Sequence, residues 1–345
     1  MIRLIPGFCL MLLAVCAALT PDAAIAQASP PPLDRYSYPH RPEVREFIAE
    51  MVSRHSFTER ELTALFTQAK RQAAILSAIR PPISPRTRSW QNYRQIFVNE
   101  RHIPEGVRFV GKHAEALLRA ETEYGVPKEI IVAIIGIETF YGQNMGKWRV
   151  ADALATLAFD YPPRAEYFRS ELEAFLLFTR EAKLDPLDVR GSYAGAIGIP
   201  QFMPNSYRRW AVDFDDDGVA LLRSSPVDAI GSVGNFLKSH GWVRGEPIAF
   251  PAALGQADPA PFIAAGIKPT YTLEEFAAAG ISVAANPPAK PGALGALIDL
   301  VTPDQPTEYR IGLDNFYVIT RYNRSSFYAS AVMDLAQALR LAMNR

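Results

Sequence analysis

The stretch "EIIVAIIGIETFYG", Glu129 to Gly142, constrains the fold more than any other part of the chain. Pro127 just ahead of it suits the first turn of a helix. From Ile130 to Ile137 every residue is apolar or glycine, so the helix has no polar face to offer to water. It must be wrapped by other elements on nearly all sides. A chain of 345 residues with 49% apolar content is long enough for that, as one large domain or two smaller ones. The same stretch poses a chemical problem, because Glu138 ends the apolar run. A carboxylate there loses hydration, and burial favours its protonated form. A protonated acid near neutral pH can donate to a leaving group, as glycoside cleavage requires. A structural acid satisfied by backbone amides or an arginine is the competing reading of Glu138 alone.

Around this helix the pattern is mostly helical. "PEVREFIAEMVSRH" puts Val44, Phe47, Ile48, Met51 and Val52 on one stripe behind a leading proline. Thr58 and Glu61 read as a capping box for the next helix. "QNYRQIFVN" and "PEGVRFVGKHAEALLRAETEYG" read as two more helices, and "ADALATLAFD" and "RAEYFRSELEAFLLFTREAKLD" as further ones. "GSYAGAIGIPQFMPNSYRRW" changes texture and predicts turns and short helical pieces. Pro226 to about His240 is helical again, with Gly241 as C-cap. From Val243 to about Tyr309 the Ala, Pro and Gly content predicts a small β-containing insertion. "NFYVITRYNRSSFYASAVMDLAQALRLAM" then predicts a strand and a long helix. The sum is a mainly α chain of α+β class with a small second lobe.

The first residues carry a targeting pattern: Arg3, an apolar run from Leu4 to Leu19, then small residues that allow cleavage after Ala26 or Ala28. Residues 1–28 are therefore expected to be a signal peptide and 29–41 a Pro-rich linker. Both cysteines, Cys9 and Cys16, fall inside the leader, so the exported chain uses no disulfide. The alternatives are an uncleaved anchor or a lipid at Cys16, which would make an outer-membrane lipoprotein. Formal net charge is zero, so no overall field favours nucleic acid or a membrane surface, and no nucleic-acid partner is expected.

Two further features carry chemistry. "WQNYRQ", "GSYAGAIGIPQFMPNSY" and "TRYNRSSFY" mix aromatic rings with amides and hydroxyls, the groups that sugar clefts use. Each is also ordinary core or turn chemistry. "DFDDDGVALLRSSPVD" sets Asp213, Asp215 and Asp217 at positions 1, 3 and 5 of an EF-hand-like loop, with Gly218 at 6 and the Val219 carbonyl at 7. Position 12 is Ser224, so Asp228 would be the closing carboxylate. An acidic capped loop without metal is the competing reading, and the alternating Asp-x-Asp-x-Asp-Gly favours the metal.

Taken together, "GIETFYGQNMGKWRVADALATLAFDYPPRAEYFRSELEAFLLFTRE", "GSYAGAIGIPQFMPNSY" and "SPVDAIGSVGNFLKSHGW" closely resemble the lytic murein transglycosylase B family, glycoside hydrolase family 103. The resemblance runs from about Tyr93 to the end. It implies a lysozyme-like core with an added helical lobe and a small β-containing lobe. The expected division of the catalytic region 42–345 is a helical lobe 42–110, a core 111–243 holding the loop 213–228, a small lobe 244–310 and a return to the core over 311–345. It implies cleavage of the MurNAc–GlcNAc β-1,4 bond of peptidoglycan with formation of a 1,6-anhydro ring, and one catalytic acid, Glu138. Ser192, Gln201, Tyr322, Asn323, Tyr328 and Tyr93 match family positions lining the cleft. Structural calcium on Asp213, Asp215, Asp217, Val219 and Asp228 is likewise implied.

Departures are Ile199-Pro200 where some members have Tyr-Gly, Phe236 where some have tyrosine, and a metal loop one residue longer. The resemblance implies an exported periplasmic enzyme of cell-wall remodelling, monomeric, with glycan strands as its partner and no organic cofactor. The sequence names no cell-envelope protein partner. A hydrolytic muramidase and an inactive peptidoglycan-binding scaffold are the other readings.

Overall fold

The central helix forms over Lys128–Thr139, and every residue from Glu129 to Thr139 is buried. Ile130, Ile131, Val132, Ile134 and Ile135 are at most 2% exposed. Full burial of an aliphatic side chain of this size contributes about 1.5–3 kcal/mol, so five of them outweigh the cost of one carboxyl at the end of the row. Helices Ser326–Met343, His102–Lys112, Ala114–Tyr124 and Pro226–Ser239 wrap it. The polar residue at its start, Glu129, faces Arg340 at 3.7 Å.

The computed structural model describes residues 38–80, 89–283, 290 and 292–344. The leader, Cys9, Cys16 and the linker up to residue 37 lie outside these. The described residues group into two units. One holds 89–144 and 210–344, the other 38–80 and 145–209. This grouping differs from the expected cuts at 110 and 243. Helices Trp90–Phe97 and His102–Lys112 pack on Ser326–Met343, so they go with the central helix rather than with the helices before them.

In the unit of 38–80 and 145–209, helix Pro42–His55 presents the stripe expected for it, with Val44, Phe47, Ile48 and Met51 buried. Val52 remains exposed. Thr58 and Glu61 form the capping box of helix Glu59–Gln68. Tyr38, Phe47, Phe66 and Phe159 meet mostly edge to face, with centroids 5.9–6.5 Å apart. Helices Val150–Asp160 and Ala165–Glu181 form the rest of its core.

The β-containing insertion is present in the other unit. Among the described residues, five strands run in the order Tyr271–Thr272, Leu294–Leu300, Glu308–Gly312, Ala249–Ala253, Ser282–Val283, with neighbours antiparallel. Phe276, Ile281, Leu297, Ile311 and Leu313 fill its core.

Two expectations are corrected. "PEGVRFVGKHAEALLRAETEYG" is two helices, because the backbone of His113 (φ −122°, ψ 30°) leaves the helical region between them. "NFYVITRY" is not a strand but helix Asp314–Tyr322. Its β-branched residues suggest a strand, yet Phe316, Ile319 and Thr320 are buried at helical spacing. Asn315 also ties the start of that helix to the carbonyls of Val243 and Glu246, each at 2.9 Å. Among the described residues no helix is long and apolar enough to cross a membrane.

Candidate active site and metal loop

Glu138 sits in the last turn of the central helix and is 5% exposed. The hydroxyl of Tyr328 donates to its Oε1 at 2.7 Å. Tyr328 is delivered by a corner between two helices. Asn323 ends helix Asp314–Tyr322 and its Oδ1 accepts the Ser325 N–H at 3.2 Å. Ser325 caps helix Ser326–Met343 by accepting the Tyr328 N–H at 3.3 Å. The "TRYNRSSFY" stretch is thus a turn that fixes one hydroxyl against one carboxyl.

Burial raises the Glu138 carboxyl from its ordinary value of 4.5 to about 7, and the Tyr328 bond pulls the other way. Burial, with the nearby Glu138 charge, pushes the phenols of Tyr328 and Tyr322 well above their usual range. Tyr328 therefore stays a donor at neutral pH, while Glu138 can be protonated or ionised there.

Rings continue outward from Tyr328. Tyr322 lies nearly parallel to it at 6.4 Å, and Phe236 meets Tyr322 at 4.8 Å. His240 stacks on Phe236 at 4.0 Å, and Trp210 lies 4.5 Å from His240. Tyr93 packs on Phe97 and on Phe327, the residue before Tyr328. Glu138, Tyr93, Tyr322, Asn323 and Tyr328 all belong to the same unit. Trp210 and His240 escaped the sequence reading. The spacing of Phe236 and His240, four apart on one helix, was the available signal for the second of them.

Ser192 and Gln201 lie in the other unit. The Ser192 hydroxyl oxygen accepts from the Ala194 and Ala196 amides at 3.3 and 3.0 Å. Gln201 is 7% exposed, has a left-handed backbone (φ 51°), and its side-chain amide donates to the Gly198 carbonyl at 2.8 Å. Both side chains hold the irregular "GSYAGAIGIPQF" loop in shape.

The acidic loop forms a convergent donor set. Carboxylate oxygens of Asp213, Asp215 and Asp217 lie within 4.8 Å of one another. Gly218 takes φ +99° at the sharp turn, a conformation that suits glycine. Phe214 anchors the loop: it is 2% exposed, its ring lies 4.1 Å from the Arg119 guanidinium, and Arg119 also donates to its carbonyl at 2.9 Å. Asp228 is fully buried, and its two oxygens accept the Phe214 and Leu221 amides at 2.7 and 2.8 Å. It closes the loop through backbone amides and stands outside the converging trio. Three hard carboxylate oxygens brought this close fit a calcium ion, and the Val219 N–H on Asp217 at 3.0 Å holds that carboxylate in place.

Most of the chain is similar to known proteins. The family model described as "Transglycosylase SLT domain" matches residues 39–337. Membrane-bound lytic murein transglycosylase B of Escherichia coli K12 is 45% identical over 316 residues, covering 88% of this chain and 84% of that protein. The crystal structure of the soluble lytic transglycosylase SltB1 from Pseudomonas aeruginosa matches with a TM-score of 0.81 and 48% identity, over 88% of this chain and 100% of that one. The Escherichia coli lytic transglycosylase Slt35, solved in complex with calcium, matches with a TM-score of 0.78 and 43% identity, over 89% of this chain and 95% of that one.

Proposed function

The chain belongs to the transglycosylase SLT domain family, and from that membership we propose how its residues cleave peptidoglycan. The chain is a lytic transglycosylase acting on the glycan strands of the bacterial wall. The bond broken is MurNAc–GlcNAc β-1,4, and the product carries a 1,6-anhydro ring on the muramic acid.

The observation that carries this reading is the buried Glu138 carboxyl, held near neutrality and bonded to Tyr328. In the first step Glu138 gives its proton to the glycosidic oxygen as the bond to the anomeric carbon breaks. The resulting carboxylate then takes the proton of the sugar's own 6-hydroxyl as that oxygen closes on the anomeric carbon. The hydroxyl is tethered to the ring it attacks, so much of the entropic cost of bringing the groups together is already met. One carboxyl serves both steps, and no second acid is needed to activate water, in contrast to most glycosidases. Tyr328 steadies the carboxylate between the two steps by donating to it.

Tyr93, Tyr322 and Asn323 are assigned to glycan binding on their proximity to Tyr328 and on the family resemblance. Ser192 and Gln201 are assigned to it on the resemblance alone. Asp213, Asp215, Asp217 and the Val219 carbonyl would hold calcium, whose charge would neutralise the cluster and stiffen the loop. The N-terminal targeting pattern supports export to the periplasm.

Digestion of purified sacculi, followed by mass spectrometry, tests the reaction. Anhydromuramoyl products from the native enzyme and none from Glu138→Gln are expected. Reducing muramic ends in place of anhydro ends would make it a hydrolase. Normal turnover by Glu138→Gln would remove the acid from its assigned role.

A further inference from the structure

Directly after Glu138 and Thr139 the backbone enters a run of three left-handed residues: Phe140 (φ 50°), Tyr141 (φ 60°) and Gly142 (φ 88°). Only the third is a glycine. The other two sit where side chains are disfavoured, and such strain persists where surrounding contacts enforce it. The turn is closed by several bonds. The Phe140 N–H reaches the Gly136 carbonyl at 3.0 Å, the Tyr141 N–H reaches that of Ile135 at 3.3 Å, and Thr139 Oγ1 accepts the Gly142 N–H at 3.0 Å.

What holds this turn is the Tyr141 side chain. It is 8% exposed, and its hydroxyl donates to the His102 carbonyl at 2.9 Å. Its ring occupies a notch between two helices that exists because both walls are glycine. A Cβ on Gly136 would come within 2.7 Å of the ring, and one on Gly106 within 2.5 Å of the hydroxyl oxygen. Gly136 lies in the same helix as Glu138, two residues before it, whereas Gly106 and His102 belong to helix His102–Lys112. The ring therefore pins the end of the central helix to a neighbour through its far tip. Phe109, at 5.8 Å, and Phe140, at 5.7 Å, flank it.

We propose that Tyr141 is a positioning residue for the reaction: wedged between Gly106 and Gly136 and tied to His102, it locks the left-handed turn and so fixes the rotation of the last helical turn that aims Glu138 at Tyr328. Without the wedge the chain relaxes toward the right-handed region after Thr139, and the carboxyl swings relative to its hydroxyl partner. The inference rests on the assignment of Glu138 as the acid.

The test compares steady-state kinetics on a soluble glycan with thermal midpoints. Tyr141→Leu is expected to lose about 10- to 100-fold in kcat, the scale of a displaced catalytic group, with KM within about 3-fold. Tyr141→Phe keeps the wedge and retains most of kcat. The double variant Gly136→Ala/Tyr141→Leu refills the notch, and it is expected to regain thermal stability without regaining kcat. Should Tyr141→Leu fail to fold, Gly106→Ala presses on the ring tip from the other helix and is expected to give the same kcat-specific loss. Normal kcat in the folded variants, or kcat returning together with stability in the double variant, overturns the proposal. Glu138→Gln is run in parallel. Its inactivity beside a fully active Tyr141→Leu removes only this inference, whereas its activity removes the acid assignment and this inference with it.

Discussion

The Glu138 carboxyl makes a stability prediction that is separate from catalysis. Its value is raised from 4.5 to about 7 in the folded state. Between those limits the unfolded chain has lost the proton while the folded chain still holds it. Stability therefore falls as pH rises through this window and levels off above about pH 7. At 1.36 kcal/mol per unit the loss amounts to about 3 kcal/mol. Glu138→Gln keeps an oxygen acceptor for Tyr328 and has no charge to desolvate. It is expected to melt several degrees above the native enzyme at pH 8 and to match it at pH 4. An equal difference at both values would mean that the carboxyl is not buried as described. Tyr328→Phe supplies the opposite perturbation. The donated hydrogen bond favours the ionised acid, so its loss raises the Glu138 value further. The alkaline limb of kcat/KM should move up in pH while kcat drops by about 10- to 100-fold, the worth of one hydrogen bond to a charged group. A limb that stays in place would separate Tyr328 from the acid's titration.

At the level of elements, the acidic loop and the first caps carry the testable content. Three carboxylates held close together repel one another until a cation joins them. A ligand bound only by the folded state adds about 2.7 kcal/mol at a hundredfold excess over Kd. Chelation is expected to lower the thermal midpoint, and calcium to restore it. Asp217→Ala should melt at one temperature with or without calcium, and a chelator-insensitive native midpoint would rule out a stabilising ion. Elsewhere, Thr58→Ala removes the side-chain half of the capping box on helix Glu59–Gln68, leaves the backbone N–H of residue 58 on the Glu61 carboxylate, and is expected to cost about 1 kcal/mol. These local devices were legible in the sequence because each depends on residues within a few positions. The Thr58/Glu61 pair and the apolar run to Ile137 formed as read, and the three aspartates of the Asp-x-Asp-x-Asp-Gly spacing converge. The helix Asp314–Tyr322 was not legible, since its β-branched residues speak for a strand and only tertiary burial of Phe316 and Ile319 decides otherwise. The role of Asp228 was half legible. Its place at the loop's end could be read, but its two backbone-amide bonds depend on a loop path that spacing does not specify.

For the whole molecule, the mainly helical class and the β-containing insertion followed from composition and periodicity, and the reaction from long ordered blocks of resemblance. The sequence offered candidate site residues without their geometry. Nothing in the sequence pairs Glu138 with Tyr328 across 190 positions, and that bond needs the central and C-terminal helices side by side. Charge is the property that the whole chain expresses most directly. The formal net charge is zero, and it stays zero without residues 1–28, because Arg3 and Asp22 are the only charged residues there. An enzyme without a net field gains little long-range attraction toward an anionic polymer. On the proposed assignment its hold on the wall would come from short contacts: ring stacking at Tyr93 and Tyr322, and hydrogen bonds to sugar hydroxyls and amides. Exposed charges farther apart than about 10 Å are already screened at 0.1 M salt. Binding of the inactive Glu138→Gln variant to purified sacculi should therefore change by less than about threefold between 0.05 and 0.3 M salt, because short contacts between neutral groups are scarcely screened. Pull-down with sacculi across that range checks it. A steep fall with salt would mean that a local basic patch, rather than the aromatic cleft, captures the glycan.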